Sequence, residues 1–181
     1  SCFTIFAFGS PATWQGLYRK TGDTKSYLYS EIAVVSGQWT HITMVQDGYS
    51  ISLYANGKLV DSALDAVIPN IISPPNSTIG AFVWSGGLLH PFEGNLDEVC
   101  IYNQALSAEE IEDIYHCGVI ADANLVGYWD FEEGAGQVAG DKSGNGNDGQ
   151  LGSDPNADSA DPAWVESEVP GVTWHVDGVS G

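Results

Sequence analysis

Asn56-Gly57 stands between two runs of strand-forming residues, 50–55 and 58–63. A two-residue hairpin turn of type I′ needs positive φ at both central positions, and Asn-Gly meets that demand at the lowest steric cost. The two runs are therefore expected to pair as an antiparallel hairpin. The chain around them has the same grain, with short apolar runs broken by turn residues. Residues 3–8 are mostly apolar. Residues 39–45 alternate, with Trp39, His41, Thr43 and Val45 on one face and Thr40, Ile42 and Met44 on the other. Residues 77–83 and 94–102 resume strand character after the turn-rich stretch 69–75. Strands at this spacing predict an all-β chain, an antiparallel β-sandwich with one short helix.

That helix is well specified. Ser107 is a good N-cap, and Glu110, three residues on, completes a capping box. Leu106 and Ile111 hold the hydrophobic-staple positions, and Gly118 is a plausible stop. Ile111, Ile114 and Tyr115 form one apolar stripe. A helix this short does not stand alone and must dock on a sheet.

The 181 residues are enough for one sandwich with a real core. Five basic residues against 24 acidic ones leave a formal charge of −19. That argues against nucleic acid and anionic membranes, which need clustered Lys and Arg. It favours solubility, divalent cations or a salty exterior. No apolar run approaches the roughly 20 residues needed to cross a bilayer, and no basic-then-apolar stretch opens the chain. Cys2, Cys100 and Cys117 lie in no metal-binding spacing. They allow one disulfide with one thiol left over, or a bond between chains. Cys100 could meet Cys117 across the helix, and Cys2 could meet Cys100 from an adjacent strand.

Past Ala121 the composition shifts. Residues 135–162 are rich in Gly, Asp, Asn and Ser, which is the composition of a solvated tail. Yet Tyr128, Trp129, Phe131, Trp164 and Trp174 flank them, and a tail has no use for such side chains. Residues 122–181 are expected to be ordered β-structure. Trp39 and Trp129 sit inside strand patterns and are expected in the core.

Two stretches carry a family resemblance. GNLDEVCIYNQALSAEEIEDIY, residues 94–115, resembles the closing strand and final helix of a laminin-G-like domain of the concanavalin-A-like lectin/glucanase superfamily. LVGYWDFEEGAGQVAGDKSGNGNDG, residues 125–149, resembles the opening strand and first loop of the same family. GQWTHITMVQD, ISLYANGKLV and VTWHVDGVS resemble further strands. The family's ending thus precedes its beginning. The resemblance implies a jelly roll in permuted order, or one cut from an array. Residues 1–118 would supply its body and C-terminal part, and 119–181 its N-terminal strands. Those strands would complete the same jelly roll or a neighbouring one, and the second route makes partners of other copies of the chain.

The resemblance also implies a structural calcium, with Asp97, three residues after the closing Gly94, as the first ligand. Asp141, Asn145, Asn147 and Asp148 lie in a Gly-rich loop that suits the oxygen cage of Ca²⁺, and Asp130 is a further candidate. The same residues are equally at home in Asx turns. Trp14, Tyr18, Tyr49, Trp84 and His90 are candidates for stacking on a sugar. Glucanases of the superfamily place two carboxylates on one face of a strand. The nearest pairs here, Asp97-Glu98 and Glu132-Glu133, are sequence neighbours that would point to opposite faces of a strand. No GxSxG, HExxH or P-loop is present. The expectation is a non-catalytic extracellular or cell-surface module for binding or assembly. It would associate with itself by strand complementation, or bind a glycan or a surface protein.

Overall fold

A computed structural model of the chain describes residues 3–19, 25–64, 77–84, 87–89, 91–152, 154–159 and 161–166. The chain divides into two units, Ser1–Glu93 with Ala105–Tyr115, and Gly94–Gln104 with His116–Gly181.

In the first unit, β1 (Phe3–Gly9), β2 (Ala12–Arg19) and β3 (Lys25–Ala33) form one antiparallel sheet in that order. A second antiparallel sheet holds β4 (Ile42–Gln46), β5 (Ser50–Ala55) and β6 (Lys58–Leu64). The turn between β5 and β6 has φ of 49° at Asn56 and 76° at Gly57, the left-handed pair that the sequence demands. A short hairpin, β7 (Phe82–Trp84) with β8 (Gly87–Leu89), completes the strands of this unit.

The two larger sheets meet face to face. Leu28 from β3 and Ile51 and Leu53 from β5 are wholly buried together, and Ile42, Met44, Val60 and Ala63 pack around them. Each fully buried Leu or Ile contributes about 1.5–3 kcal/mol. Gly16 brings β2 close to the facing sheet, since a Cβ there would lie 3.2 Å from Met44 Sδ. The architecture is the β-sandwich that the spacing of strands predicts.

The helix α1 (Ala108–Cys117) begins with the capping box as read. Ser107 N–H donates to Glu110 Oε2 at 2.7 Å, and Glu110 N–H donates to Ser107 Oγ at 3.2 Å. Leu106 and Ile111 are buried, and Gly118 takes φ +88° just past the end. Tyr115 lies over the β5–β6 turn, where a Cβ on Gly57 would come within 3.2 Å of its ring. Its ring centroid is 5.8 Å from that of His41.

In the second unit, β9 (Val99–Tyr102) pairs antiparallel with β10 (Leu125–Trp129), with a bulge between Leu125 and Gly127. β11 (Val138–Ala139) pairs with β12 (Gly149–Gln150). The strand that resembles the family's opening therefore pairs, in this chain, with the one that resembles its closing. Trp129 is buried, as expected. Its indole covers Gly127 so closely that a Cβ there would meet the ring at 2.5 Å. Trp164 Nε1 donates to Gly136 O at 2.8 Å, which ties the Gly- and Asp-rich stretch down. Within 122–181 the described residues are strand only at Leu125–Trp129, Val138–Ala139 and Gly149–Gln150. They are otherwise turn and loop rather than the β-structure expected, because side-chain bonds to backbone take the place of strand pairing there. The strand expected near 172–180, with Trp174, lies outside the described residues.

Several expectations shift. Trp39 is half-buried rather than in the core, because the run 39–45 becomes strand only from Ile42. Before that, His41 is held by the turn: its N–H donates to Asn56 Oδ1 at 3.0 Å, and its carbonyl accepts from Asn56 N–H at 2.8 Å. The run 94–102 is strand only from Val99, because Glu98 takes φ +53° and breaks the extended backbone. Residues 77–81 form a turn closed by Thr78 Oγ1 on Ala81 O at 2.7 Å.

Candidate functional site

Four carboxylates gather beside the start of β9 in the second unit. Asp97 and Glu98 precede the strand, and Asp130 and Glu132 follow β10. Antiparallel pairing of Val99 with Trp129 brings these two ends of chain together. Burial raises the pKa of Asp97; the Glu98 N–H bond opposes this, and the charges of Glu132 and Asp130 add to it. Burial also raises Glu98, against the hydrogen bond from Tyr128, with Asp97, Asp130 and Glu132 adding like charge. Tyr128 Oη donates to Glu98 Oε2 at 2.6 Å. Burial and that bond push the phenol well above its ordinary value.

Asp97 and Glu98 lie in irregular backbone ahead of β9, so the alternation of a regular strand, on which the sequence argument relied, does not apply to them. The left-handed backbone at Glu98 is the reason. A non-Gly residue held there costs of order 1–3 kcal/mol.

The Gly-rich loop is a second cluster, and its side chains serve the loop itself. Asp141 accepts N–H bonds from Tyr128 at 3.0 Å, Ser143 at 2.9 Å and Asn147 at 2.9 Å. Burial opposes its charge, yet the bonds from Ser143, Asn147 and Tyr128 hold its carboxyl well below the usual range. Asp148 Oδ1 accepts from Asp141 N–H at 2.9 Å. Asn145 Nδ2 donates to Leu125 O and Val126 O, and Asn147 Nδ2 donates to Val126 O. Glu133 and Lys142 close the neck of the loop. Glu133 Oε1 accepts from Gly140 N–H at 3.0 Å, and Lys142 Nζ lies 3.3 Å from Glu133 and 3.6 Å from Asp130.

The six residues expected around calcium therefore fall into two sets. Asp141, Asn145, Asn147 and Asp148 form a turn lattice whose polar atoms already hold backbone groups. Asp97 and Asp130 lie in the carboxylate cluster, where the charge of Asp130 adds to the rise of the Asp97 pKa. Among the described residues, no group of three or more His, Cys, Asp or Glu side chains converges as a metal cage.

The aromatic candidates scatter. Trp14 is half-buried and packs against Phe92, with ring centroids 6.1 Å apart, and its Nε1 is buried without a partner. Tyr49 is 76% exposed in the turn that Asp47 caps. Tyr18 and Trp84 lie on β2 and β7 with side chains outside the described residues, as is His90. Two tyrosines that the sequence reading passed over stand on the outer face of β3. Tyr27 and Tyr29 are 42% and 56% exposed, with rings stacked 6.2 Å apart and 22° from parallel. Their i, i+2 spacing was the available signal, since it puts both on one face of a strand.

Cys100 and Cys117 are free thiols, and Cys2 lies outside the described residues. Burial, then the Glu98 charge, pushes the Cys100 thiol up to about 12, so it is a poor nucleophile. No described helix is long and apolar enough to cross a membrane.

Residues 3–112 match a laminin-G-type family model described as concanavalin A-like lectin/glucanases superfamily. A search of curated protein sequences found no significant match. Among solved structures, the chain is similar to a protein from Bacteroides ovatus assigned as carbohydrate-binding. The TM-score is 0.58 at 19% identity, over 75% of this chain and 39% of that one. It is also similar to an S-layer domain-containing protein from Clostridium thermocellum, with a TM-score of 0.42 at 21% identity, over 64% of this chain and 58% of that one. The chain spans less than two thirds of either structure.

Proposed function

The chain belongs to the concanavalin A-like lectin/glucanase superfamily, and from that premise we propose that it is a non-catalytic binding module, extracellular or at the cell surface, with a carbohydrate as ligand. The observation that carries the reading is a division of labour among side chains. Three of the half-buried carboxylates are engaged by the chain itself: Glu98 by Tyr128, Glu133 through one oxygen by Gly140 and Lys142, and Asp141 by three N–H groups. Aromatic rings, by contrast, stand in solvent at Tyr27, Tyr29 and Tyr49. Hydrolysis of a glycoside needs two free carboxyl groups at a set separation, whereas binding needs exposed aromatic faces. The carbohydrate-binding assignment of the Bacteroides ovatus protein supports the same reading.

Incubation with soluble polysaccharides separates the two outcomes. A binding module is retained by at least one glycan and releases no new reducing ends. Turnover abolished by Glu98→Gln or Glu132→Gln would overturn the reading.

In the same reading the module is a permuted domain, and what supports the permuted order is that the family-opening strand β10 pairs with the family-closing strand β9 within one chain. If that chain completes its own sandwich, size-exclusion chromatography is expected to show a monomer at every concentration. Assembly by strand exchange between copies is the competing reading, and concentration-dependent oligomers would favour it. Calcium enters as a structural ion near Asp97 and Asp130, where it would relieve the repulsion of the cluster. Bound only to the native state, it would add about 2.7 kcal/mol at one hundred times its Kd. A chelator that leaves the melting temperature unchanged would remove it from the proposal.

A further inference from the structure

The sandwich carries a hollow of about 430 Å³ lined by Tyr29, Glu31, Ile32, Val60 and Asp61. That volume is in the range of small-ligand sites, ~300–1,000 Å³. Its walls come from β3 and β6, one strand from each sheet of the first unit. Asp61 joins them: its Oδ2 accepts the Tyr29 N–H at 2.8 Å, and its Oδ1 accepts the Ser62 N–H at 2.8 Å. The edge of β3 is thereby tied to β6 by a side chain rather than by strand pairing, and the hollow opens to solvent at that edge.

Tyr29 lines the hollow, and Tyr27 stands beside it on the same strand. Strand alternation puts Tyr27, Tyr29 and Glu31 outward while Leu28 and Ser30 point into the core. Two large aromatic groups thereby stand partly in solvent while Leu28 is wholly buried. Register places Leu17 opposite Tyr27 and Gln15 opposite Tyr29, so both belong to the same outer face. The two rings, 6.2 Å apart and 22° from parallel, are both partly in solvent and bring two hydroxyls. Glu31 and Asp61 add carboxylate acceptors at the margin of the hollow, and Ile32 and Val60 add an apolar floor.

We propose that Tyr27, Tyr29, Glu31 and Asp61 form a subsite for a neutral pyranose chain. A pyranose ring offers one apolar C–H face and a rim of hydroxyl donors; the tyrosine rings suit the face and the carboxylates suit the rim. Two acidic side chains, on a chain of net charge −19, repel uronates, sulfated sugars and nucleic acid. The inference rests on the reading of the chain as a carbohydrate-binding module and gives that module a location and a ligand class.

The test is affinity electrophoresis of the full chain through gels containing mixed-linkage β-glucan, galactomannan or xylan, with polygalacturonate as the anionic arm. At least one neutral polysaccharide retards the protein and polygalacturonate does not. Tyr27→Ala/Tyr29→Ala weakens binding about tenfold or more, while Tyr29→Phe retains it, because the stacking face survives. Melting temperatures of all variants are compared, so that loss of binding is separated from loss of fold. Val138→Ala, 51% exposed in the other unit, serves as the neutral control. Binding that is unchanged in the double variant, or that is lost in Tyr49→Ala instead, overturns the subsite and leaves the module reading intact. Retardation by no glycan at all overturns both, and retardation by polygalacturonate alone overturns the ligand class.

Discussion

The two units of this chain are held together by different physics. In the first, Leu28, Ile51 and Leu53 are wholly buried between two sheets, and the contacts that matter are apolar and directionless. In the second, the buried apolar side chains among the described residues are Leu125, Trp129 and Ala139. Order there comes from side chains that bond to backbone: Asp141, Asn145, Asn147, Asp148 and Glu133 each hold a particular N–H or carbonyl. A sandwich core tolerates a change of polar surface but not a lost methylene. A hydrogen-bonded loop tolerates the reverse, and it responds to pH. Acidity in such a chain is therefore partly a structural material and not only a solvated surface.

The sharpest contrast should come from Leu53→Ala, which removes buried volume at the centre of the sandwich. A loss of about 3 kcal/mol is expected in urea unfolding, independent of pH between about 5 and 8. A loss under about 1 kcal/mol would mean that the core collapses easily and that the comparison is overstated.

Asp141→Ala leaves three N–H groups without their acceptor, and a loss of about 2 kcal/mol is expected, moderated by water in a half-exposed loop. Asp141 has a folded pKa below its ordinary 3.8. Its charge stabilises the fold above that value, and the contribution is lost as pH falls through the folded value. Asp141→Asn should accordingly lose less stability on acidification than the parent chain. A parallel acid limb in both proteins would show that the loop does not draw on this charge.

Ser107→Ala removes the helix N-cap and should cost about 1 kcal/mol, with little pH dependence. Glu110→Gln should cost less, because its amide oxygen still accepts the Ser107 N–H.

The smallest effect tests the carboxylate cluster. Asp97 and Glu98 have folded pKa values raised above 3.8 and 4.5. The folded state therefore keeps protons that the unfolded state releases, and this contribution is present at low pH and lost as pH rises through the folded values. Asp97→Asn should flatten the fall in melting temperature as pH rises past the ordinary carboxylate range, a small effect at this exposure. A steeper fall would mean that the cluster is neutralised in solution, as by calcium.

Much of this molecule was legible in short-range chemistry. Asn56-Gly57 admits one hairpin, Ser107 and Glu110 admit one helix start, and Gly118 admits its stop, because each signal acts within four or five residues. The resemblance to the superfamily was carried by such local signatures and agrees with the family match over residues 3–112. The aromatic flanks of the Gly-rich stretch announced that it is folded, since only burial gives a residue like Trp129 a place. Which carboxylates meet was not legible. That depended on the register of β9 against β10 and on a single positive φ at Glu98, which nothing nearby in sequence demands. The exposed pair on β3 was hidden for a related reason. Its strand turns tyrosines outward and Leu28 and Ser30 inward, and residue type alone does not say which face of a strand a second sheet will cover. Local conformation is set by neighbours along the chain; faces and clusters are set by what packs against them.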